Sequence, residues 1–179
     1  MSIKTFYSNG KLLISGEYVV LDGAVSLAIP TKFGQSLTVE PITPSKLIWT
    51  SYDETGQIWY ENEFSLKDFS SEISIETNEI TKRLIQIIKT ARTLNPAFLS
   101  STSGFKITTH LDFKKEWGLG TSSTLINNMA QWANIDAFKL LEMTFGGSGY
   151  DIACAQHYKP ISYQLHNGKP LVKEVYFNP

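Results

Sequence analysis

The first 64 residues consist of short apolar runs separated by turn residues, a pattern typical of β-strands. The clearest case is a hairpin around residues 53–56, since both flanking segments alternate polar and apolar side chains. The strands predicted in this part of the chain are residues 11–15, 18–21, 25–29, 35–40, 46–52 and 57–64.

The hydrophobic period changes after residue 77. Apolar side chains from Ile80 to Leu94 recur at spacings of mostly three and four, which predicts an amphipathic helix over residues 77–94 that ends before Pro96. Strands mixed with a few helices predict an α+β domain. The later predicted elements are a strand at 103–111, helices at 121–133, 136–142 (capped by Asp136) and 150–156, and a hairpin of 161–165 and 171–177 around Asn167-Gly168.

Composition and charge narrow the classes of function. The 179 residues are enough for about one domain, and 16 basic against 17 acidic residues give a net charge of -1. This balance predicts no basic surface for nucleic acid or anionic membranes. The sequence has no apolar run near the roughly 20 residues of a membrane helix and no signal-peptide pattern, so we expect a cytoplasmic protein. The single Cys154 excludes an internal disulfide framework and a multi-cysteine zinc site.

The strongest chemical signal is a glycine-rich turn between a predicted strand and a predicted helix. Glycines allow a ligand to approach closely, and a helix start offers unpaired N–H groups and the positive end of the dipole. Three consecutive hydroxyls add donors and a magnesium ligand. The turn therefore predicts a phosphate site, with an ordinary loop and serine–threonine helix cap as the alternative. Its sequence, Trp117-Gly118-Leu119-Gly120-Thr121-Ser122-Ser123-Thr124, is neither a Walker A loop nor a dinucleotide fingerprint.

Two charged residues in other segments support the phosphate interpretation. Lys11 lies in the strand-like segment 10–18, and Asp151 follows the flexible turn at 147–150. A carboxylate near a lysine can orient or deprotonate a hydroxyl during phosphoryl transfer. Taken singly, each charge is equally typical of a solvated surface position or a helix cap.

These three segments, in this order, resemble the motifs of the GHMP small-molecule kinases, which include galactokinase, homoserine kinase, mevalonate kinase and phosphomevalonate kinase. Residues 10–23 look like the first motif, 117–124 like the phosphate loop and 147–153 like the segment of the catalytic aspartate. The resemblance implies a strand-rich N-terminal domain with a left-handed β-α-β crossover, as in a ribosomal protein domain. It also implies ATP and Mg²⁺ as cofactors and γ-phosphoryl transfer to a small alcohol or phosphate acceptor, with mevalonate or phosphomevalonate favoured.

The resemblance implies roles for individual residues. Asp151 matches the aspartate that orients or deprotonates the acceptor hydroxyl, and Lys11 matches the lysine beside it. Glu17 and Tyr18 match a pair near the acceptor, although many members have histidine in place of Tyr18. The remaining matches are Gly118, Leu119, Gly120, Thr121, Ser122 and Ser123 for the nucleotide phosphates, and Ser122 with Glu142 for magnesium.

No segment after Asp151 resembles the third glycine-rich motif, which lies in the second domain of the family. We therefore expect residues 1–179 to form the N-terminal domain, with weak or no kinase activity when this domain is alone. The face left by the second domain would favour a homo-oligomer. Two alternatives stay open: a non-catalytic ATP-binding or interaction module that retains the fold, and an RNA-binding domain, which the near-zero net charge disfavours.

Overall fold

The computed structural model describes residues 2–66, 69, 78–100 and 103–177. Within these residues the chain forms seven strands and four α-helices, which confirms the α+β class. None of the described helices is long and apolar enough to span a membrane. The strands are β1 (Lys4–Ser15), β2 (Ser26–Ile42), β3 (Lys46–Tyr52), β4 (Ile58–Ser65), β5 (Gly104–Leu111), β6 (Ile161–His166) and β7 (Lys169–Glu174), and the helices are α1 (Glu79–Leu94), α2 (Thr121–Ala133), α3 (Ala137–Thr144) and α4 (Tyr150–Ala155).

The strands form one mixed sheet in the order β4-β3-β5-β2-β6-β7, with β1 paired to β2. Strands β3 and β5 are parallel neighbours because β4 and α1 connect them, and the other pairs are antiparallel. Strand β2 is 17 residues long, so its C-terminal half pairs with β5 and its N-terminal end pairs with β6. Strands β1 and β2 therefore join the main part of the sheet to the β6–β7 hairpin.

The main hydrophobic core lies between the sheet and the helices. Leu37, Trp49 and Ile107 from the strands meet Ile87 of α1 and Met129 of α2, and all five side chains are buried. Helix α2 also packs on β1 and β2, which fixes the start of this helix relative to both strands. A second, smaller cluster lies near α4 and β6 and contains Val20, Ala28, Ala153, Cys154, Ile161 and Tyr163.

Several sequence-based boundaries differ from the structure. Strand β1 begins at Lys4, where the sequence predicted a start at residue 11, and β7 covers Lys169–Glu174 in place of 171–177. Residues 18–21 form a turn and no strand, because the chain reverses at Gly16, whose carbonyl accepts a hydrogen bond from the Val20 N–H at 2.8 Å. The segments 25–29 and 35–40 belong to the single strand β2. Helix α1 begins at Glu79, where the Asn78 side chain accepts from a first-turn amide. The predicted start at residue 77 lies outside the described residues.

A buried polar network, which the sequence analysis did not predict, joins α2 to β1 and β2. Ser8 Oγ donates to Asn128 Oδ1 at 2.8 Å, and Asn127 Nδ2 donates to Ser8 Oγ at 2.9 Å. Asn128 Nδ2 donates to the Gln35 carbonyl at 2.8 Å, and Thr124 Oγ1 lies 2.9 Å from Gln35 Oε1. Satisfied networks of this kind fix one arrangement of the packed elements, because a slipped arrangement would leave buried polar groups unpaired.

Replacing Asn128 by alanine is expected to lower the free energy of unfolding by about 2–3 kcal/mol. The change removes two hydrogen bonds and leaves Ser8 Oγ and the Gln35 carbonyl short of a partner in a fully buried region. Urea unfolding followed by tryptophan fluorescence measures the effect. Gln131→Ala on the exposed face of the same helix is the matched control, and equal unfolding midpoints for the two variants would contradict the prediction.

Candidate functional site

Strand β1 brings Lys11 to α4 and the glycine-rich turn. The pairing of β1 with β2 is irregular just before Lys11, where residues 31–33 of β2 lie opposite Gly10 of β1. Ahead of this irregularity Phe6 and Ser8 face the core, and after it Leu13 packs into the second apolar cluster. Because side chains alternate along a strand, residue 11 shares its side with residue 13. Lys11 therefore faces α4 and the glycine-rich turn, whereas Leu12 is exposed.

The glycine-rich turn lies against Lys11 and leads directly into α2. The Lys11 N–H donates to the Leu119 carbonyl at 2.9 Å. Gly120 precedes the helix with a φ of 91°, and no side chain caps the first helix amides. A Cβ on Gly120 would lie 2.8 Å from Ser123 Oγ, which would have to move, and 3.4 Å from Lys11 Cγ, which is an ordinary van der Waals contact. The turn thus leaves the N–H groups and the positive dipole end of α2 available to an anion.

Asp151 lies in the first turn of α4, next to Lys11. Its Oδ1 atom is buried and has no hydrogen-bond partner. The Lys11 ammonium is 3.5 Å from this oxygen, which is longer than an ordinary N–H···O hydrogen bond of about 2.7–3.2 Å. Charge attraction therefore orients the carboxylate, and an acceptor position on it remains free for a hydroxyl group.

Burial and mutual attraction shift the pKa values of both residues in this ion pair. Burial raises the pKa of Asp151, and the attraction of Lys11 offsets part of the rise. Burial lowers the pKa of Lys11, but the charge of Asp151 and hydrogen bonding to Tyr150 outweigh it, so the pKa is raised. Lys11 thus stays protonated at neutral pH, whereas Asp151 binds a proton more readily than an ordinary surface carboxylate.

Asp151 and the start of α2 line a single cavity of about 560 Å³. Its wall also contains aromatic side chains of the β3–β4 hairpin, Trp49, Trp59 and Tyr60. The Lys115 ammonium lies 3.9 Å above the Trp59 ring. Such a volume is typical of small-molecule sites, and the combination of aromatic rings with an anion-binding helix start fits a ligand with a flat base and phosphate groups. The hydroxyl-bearing residues of the wall include Ser51, Thr109, Thr121, Ser122 and Ser123.

The residues that the sequence analysis assigned to the site divide into two groups. Thr121, Ser122, Ser123 and Asp151 line the cavity, Lys11 contacts Asp151, and Gly118, Leu119 and Gly120 form the turn beside them. Glu17 lies in the exposed turn after β1, where its charge still acts on Tyr150. Tyr18 and Glu142 are exposed and are not among the residues that line the cavity, and Tyr18 is 94% exposed.

The aromatic residues of the site were not found from the sequence. Trp49, Trp59 and Tyr60 belong to strands that were predicted, but the sequence analysis assigned these residues no role. Tyr150 directly precedes Asp151, and its ring lies 5.4 Å from the Lys11 ammonium. Its position next to Asp151 was the one feature of the sequence that could have assigned Tyr150 to the site.

Oxygen atoms in the cavity wall are the candidate ligands for a magnesium ion. Among the described residues, no three His, Cys, Asp or Glu side chains gather into a metal site. Mg²⁺ usually keeps water ligands and binds one or two carboxylates together with substrate phosphates. Asp151 and the Ser122 hydroxyl supply such oxygens in the cavity wall. This donor set fits an ion that is shared with bound phosphates.

Comparison with solved structures places this fold among the GHMP kinases. The mevalonate kinase of Methanococcus jannaschii superposes with a TM-score of 0.72 at 14% identity, over 98% of this chain and 56% of that one. The L. major mevalonate kinase in complex with R-mevalonate gives a TM-score of 0.71 at 18% identity, over 98% and 53%. The Streptococcus pneumoniae phosphomevalonate kinase in complex with phosphomevalonate and AMPPNP gives 0.63 at 17%, over 90% and 49%.

These matches confirm the GHMP kinase fold that the motifs implied. The chain spans about half the length of the solved structures that it matches and corresponds to an N-terminal-like part of them. Neither protein-family models nor curated protein sequences match it. At identities of 14–18% the likeness concerns the fold, so the chemistry has to be argued from the site itself.

Proposed function

We propose that this chain is the nucleotide-binding part of a kinase that transfers the γ-phosphoryl group of ATP to a hydroxyl group of a small molecule. The observation that carries the proposal is the shared cavity, into which both the uncapped start of α2 and the Asp151 carboxylate open. Phosphate binding and proton acceptance are the two tasks of a phosphoryl-transfer site, and the groups suited to them line the same cavity here.

Each residue of the site has a task in this reaction. The amides and hydroxyls of Thr121, Ser122 and Ser123 hold the phosphates at the start of α2. Asp151 orients the acceptor hydroxyl and takes its proton as the oxygen–phosphorus bond forms, while the bond to the leaving ADP oxygen breaks. Lys11 stays protonated beside Asp151 and stabilises the developing negative charge. Bound ATP supplies the phosphoryl group, and Mg²⁺ neutralises its charge.

The proposal also concerns the molecule that accepts the phosphoryl group and the domains that full activity requires. Mevalonate or phosphomevalonate is the acceptor class that the Gly16–Gly23 motif favours, and two structures with this fold contain those compounds. Because the chain spans about half of such structures, we propose that a second domain is required for full turnover. The alternative of a non-catalytic module predicts nucleotide binding without transfer.

A negative charge at the start of α2 provides the sharpest test of nucleotide binding. Ser122→Asp is expected to weaken ATP binding at least about tenfold, because a carboxylate within a few ångströms repels the phosphates. The new carboxylate interacts favourably with the positive end of the α2 dipole, so the fold is retained. The neutral variant Ser122→Asn, of nearly equal size, is the matched control, and isothermal titration calorimetry with ATP, ADP and adenosine measures the affinities.

The order of affinities decides between nucleotide binding and an ordinary helix cap. Phosphate recognition requires that ATP binds more tightly than ADP and that adenosine binds most weakly. Equal affinities of the Asp and Asn variants, or binding of adenosine as tight as that of ATP, would refute the phosphate site. Phosphoryl transfer by the complete protein then separates a kinase from a binding module.

A further inference from the structure

The Lys11 side chain contacts the glycine-rich turn along its stem and Tyr150 at its ammonium group. The Lys11 backbone N–H is bound to Leu119, and its aliphatic stem lies against Gly120. The ammonium is then 3.5 Å from Asp151 and 5.4 Å from the centre of the Tyr150 ring. The ammonium group of a lysine lies at the end of four flexible bonds. It needs such contacts to stay in one position, because the free side chain has a large rotamer entropy.

The Tyr150 ring is itself fixed by its neighbours. It is half-buried and meets Tyr163 edge to face, with 6.5 Å between the ring centres. The Tyr163 hydroxyl donates to the Ser148 carbonyl, which ties this second ring to the turn before α4. A ring face held in this way offers a defined site for a cation within the roughly 6 Å that cation–π attraction requires.

We propose that Tyr150 is a positioning residue whose ring face holds the Lys11 ammonium beside Asp151, at the point where the proposed reaction needs a fixed positive charge. The inference rests on the proposed function for the use of Lys11, but the contact itself is a property of the folded chain. The Tyr150 hydroxyl also hydrogen-bonds to Lys11, so the residue holds the ammonium with both its ring and its hydroxyl. Phenylalanine keeps the ring part of this contact, whereas an aliphatic residue keeps neither part.

The reactivity of the Lys11 amine tests the contact without any substrate. Labelling with a trace of acetic anhydride, followed by peptide mass spectrometry, gives the rate at each lysine in wild type, Tyr150→Phe and Tyr150→Leu. Lys46, which is also partly buried and ion-paired, serves as the internal reference. We expect the Lys11 to Lys46 rate ratio to rise about two- to fivefold in Tyr150→Leu and to rise less in Tyr150→Phe, which keeps the ring. Tyr176→Leu, at a 93% exposed position, is the control for loss of an aromatic ring.

Each outcome of this experiment supports or overturns the proposal. A ratio that is higher in Tyr150→Leu than in Tyr150→Phe supports it. An unchanged ratio overturns it, and so does a parallel rise at Lys11 and Lys46, because that result reports a general loosening of the fold. Equal rises in the Phe and Leu variants overturn the role of the ring. If the ratio behaves as expected but ATP does not protect Lys11 in wild type, the proposed function fails while the Tyr150 contact stands.

Discussion

Replacing Asp151 by asparagine is expected to slow phosphoryl transfer by the complete protein at least about 100-fold. Asparagine keeps the shape of the side chain and the neighbouring Lys11, but its amide cannot take the proton of the acceptor hydroxyl. Nucleotide affinity should change little, because the phosphates bind at the start of α2. Steady-state kinetics coupled to ADP release measure the rate. Glu40→Gln, which removes one carboxylate from an exposed position on β2, is the control.

The stability of the same variant shows whether misfolding could cause the slower phosphoryl transfer. Because burial raises the pKa of Asp151, the folded protein binds a proton more tightly than the unfolded chain. Stability therefore rises as the pH falls from the raised pKa toward the ordinary carboxyl range, and the ionised form costs stability at neutral pH. Asparagine removes this cost, so the midpoint of thermal unfolding at pH 7 should be at least that of wild type. A lower midpoint, or unchanged transfer, would contradict the assigned role.

Replacing Gly120 by alanine is expected to weaken ATP binding about tenfold or more and to lower the free energy of unfolding by about 2–3 kcal/mol. Its φ of 91° is unfavourable for alanine, and the new Cβ would lie 2.8 Å from Ser123 Oγ. The turn must shift to relieve both effects, which also moves its contact with Lys11 and the first amides of α2. Calorimetric titration with ATP and urea unfolding measure the two effects.

Gly118→Ala separates backbone strain from this loss of space. Gly118 also has a positive φ, at 68°, but no atom lies within 4 Å of a Cβ built on it. Its replacement should cost about 1 kcal/mol of stability and leave most of the ATP affinity. Equal losses of affinity in the two glycine variants would show that the contact of the turn with Lys11 does not matter for nucleotide binding.

Local signals predicted most of the secondary structure. Helix α2 begins at Thr121 and ends at Ala133, as the glycine-rich turn and the apolar pattern predicted, and the β3–β4 hairpin follows from alternation and its turn. The strand predicted at 18–21 is wrong because an apolar run was taken as evidence of burial. Most of these side chains are exposed in a turn, which a period-two pattern of four residues cannot reveal.

The arrangement of the site depends on contacts that no local pattern encodes. Lys11 and Asp151 are 140 positions apart in the chain (151 − 11), and their approach depends on the packing of α4 against β1. The resemblance to known kinases placed the lysine beside the aspartate. The ring of Tyr150 was beyond this reasoning, because the resemblance assigned it no role and its contact with Lys11 arises from tertiary packing.

The irregular pairing before Lys11 also governs how the sheet can diverge. Between the pairs Asn9–Gly34 and Lys11–Pro30, three residues of β2 lie opposite the single Gly10 of β1. Loss of one residue from this part of β2 would turn the rest of the strand by one position and move Ser26 and Ala28 off the buried face. Relatives of this chain should therefore preserve the length of segment 31–33 of β2 as well as Lys11 itself.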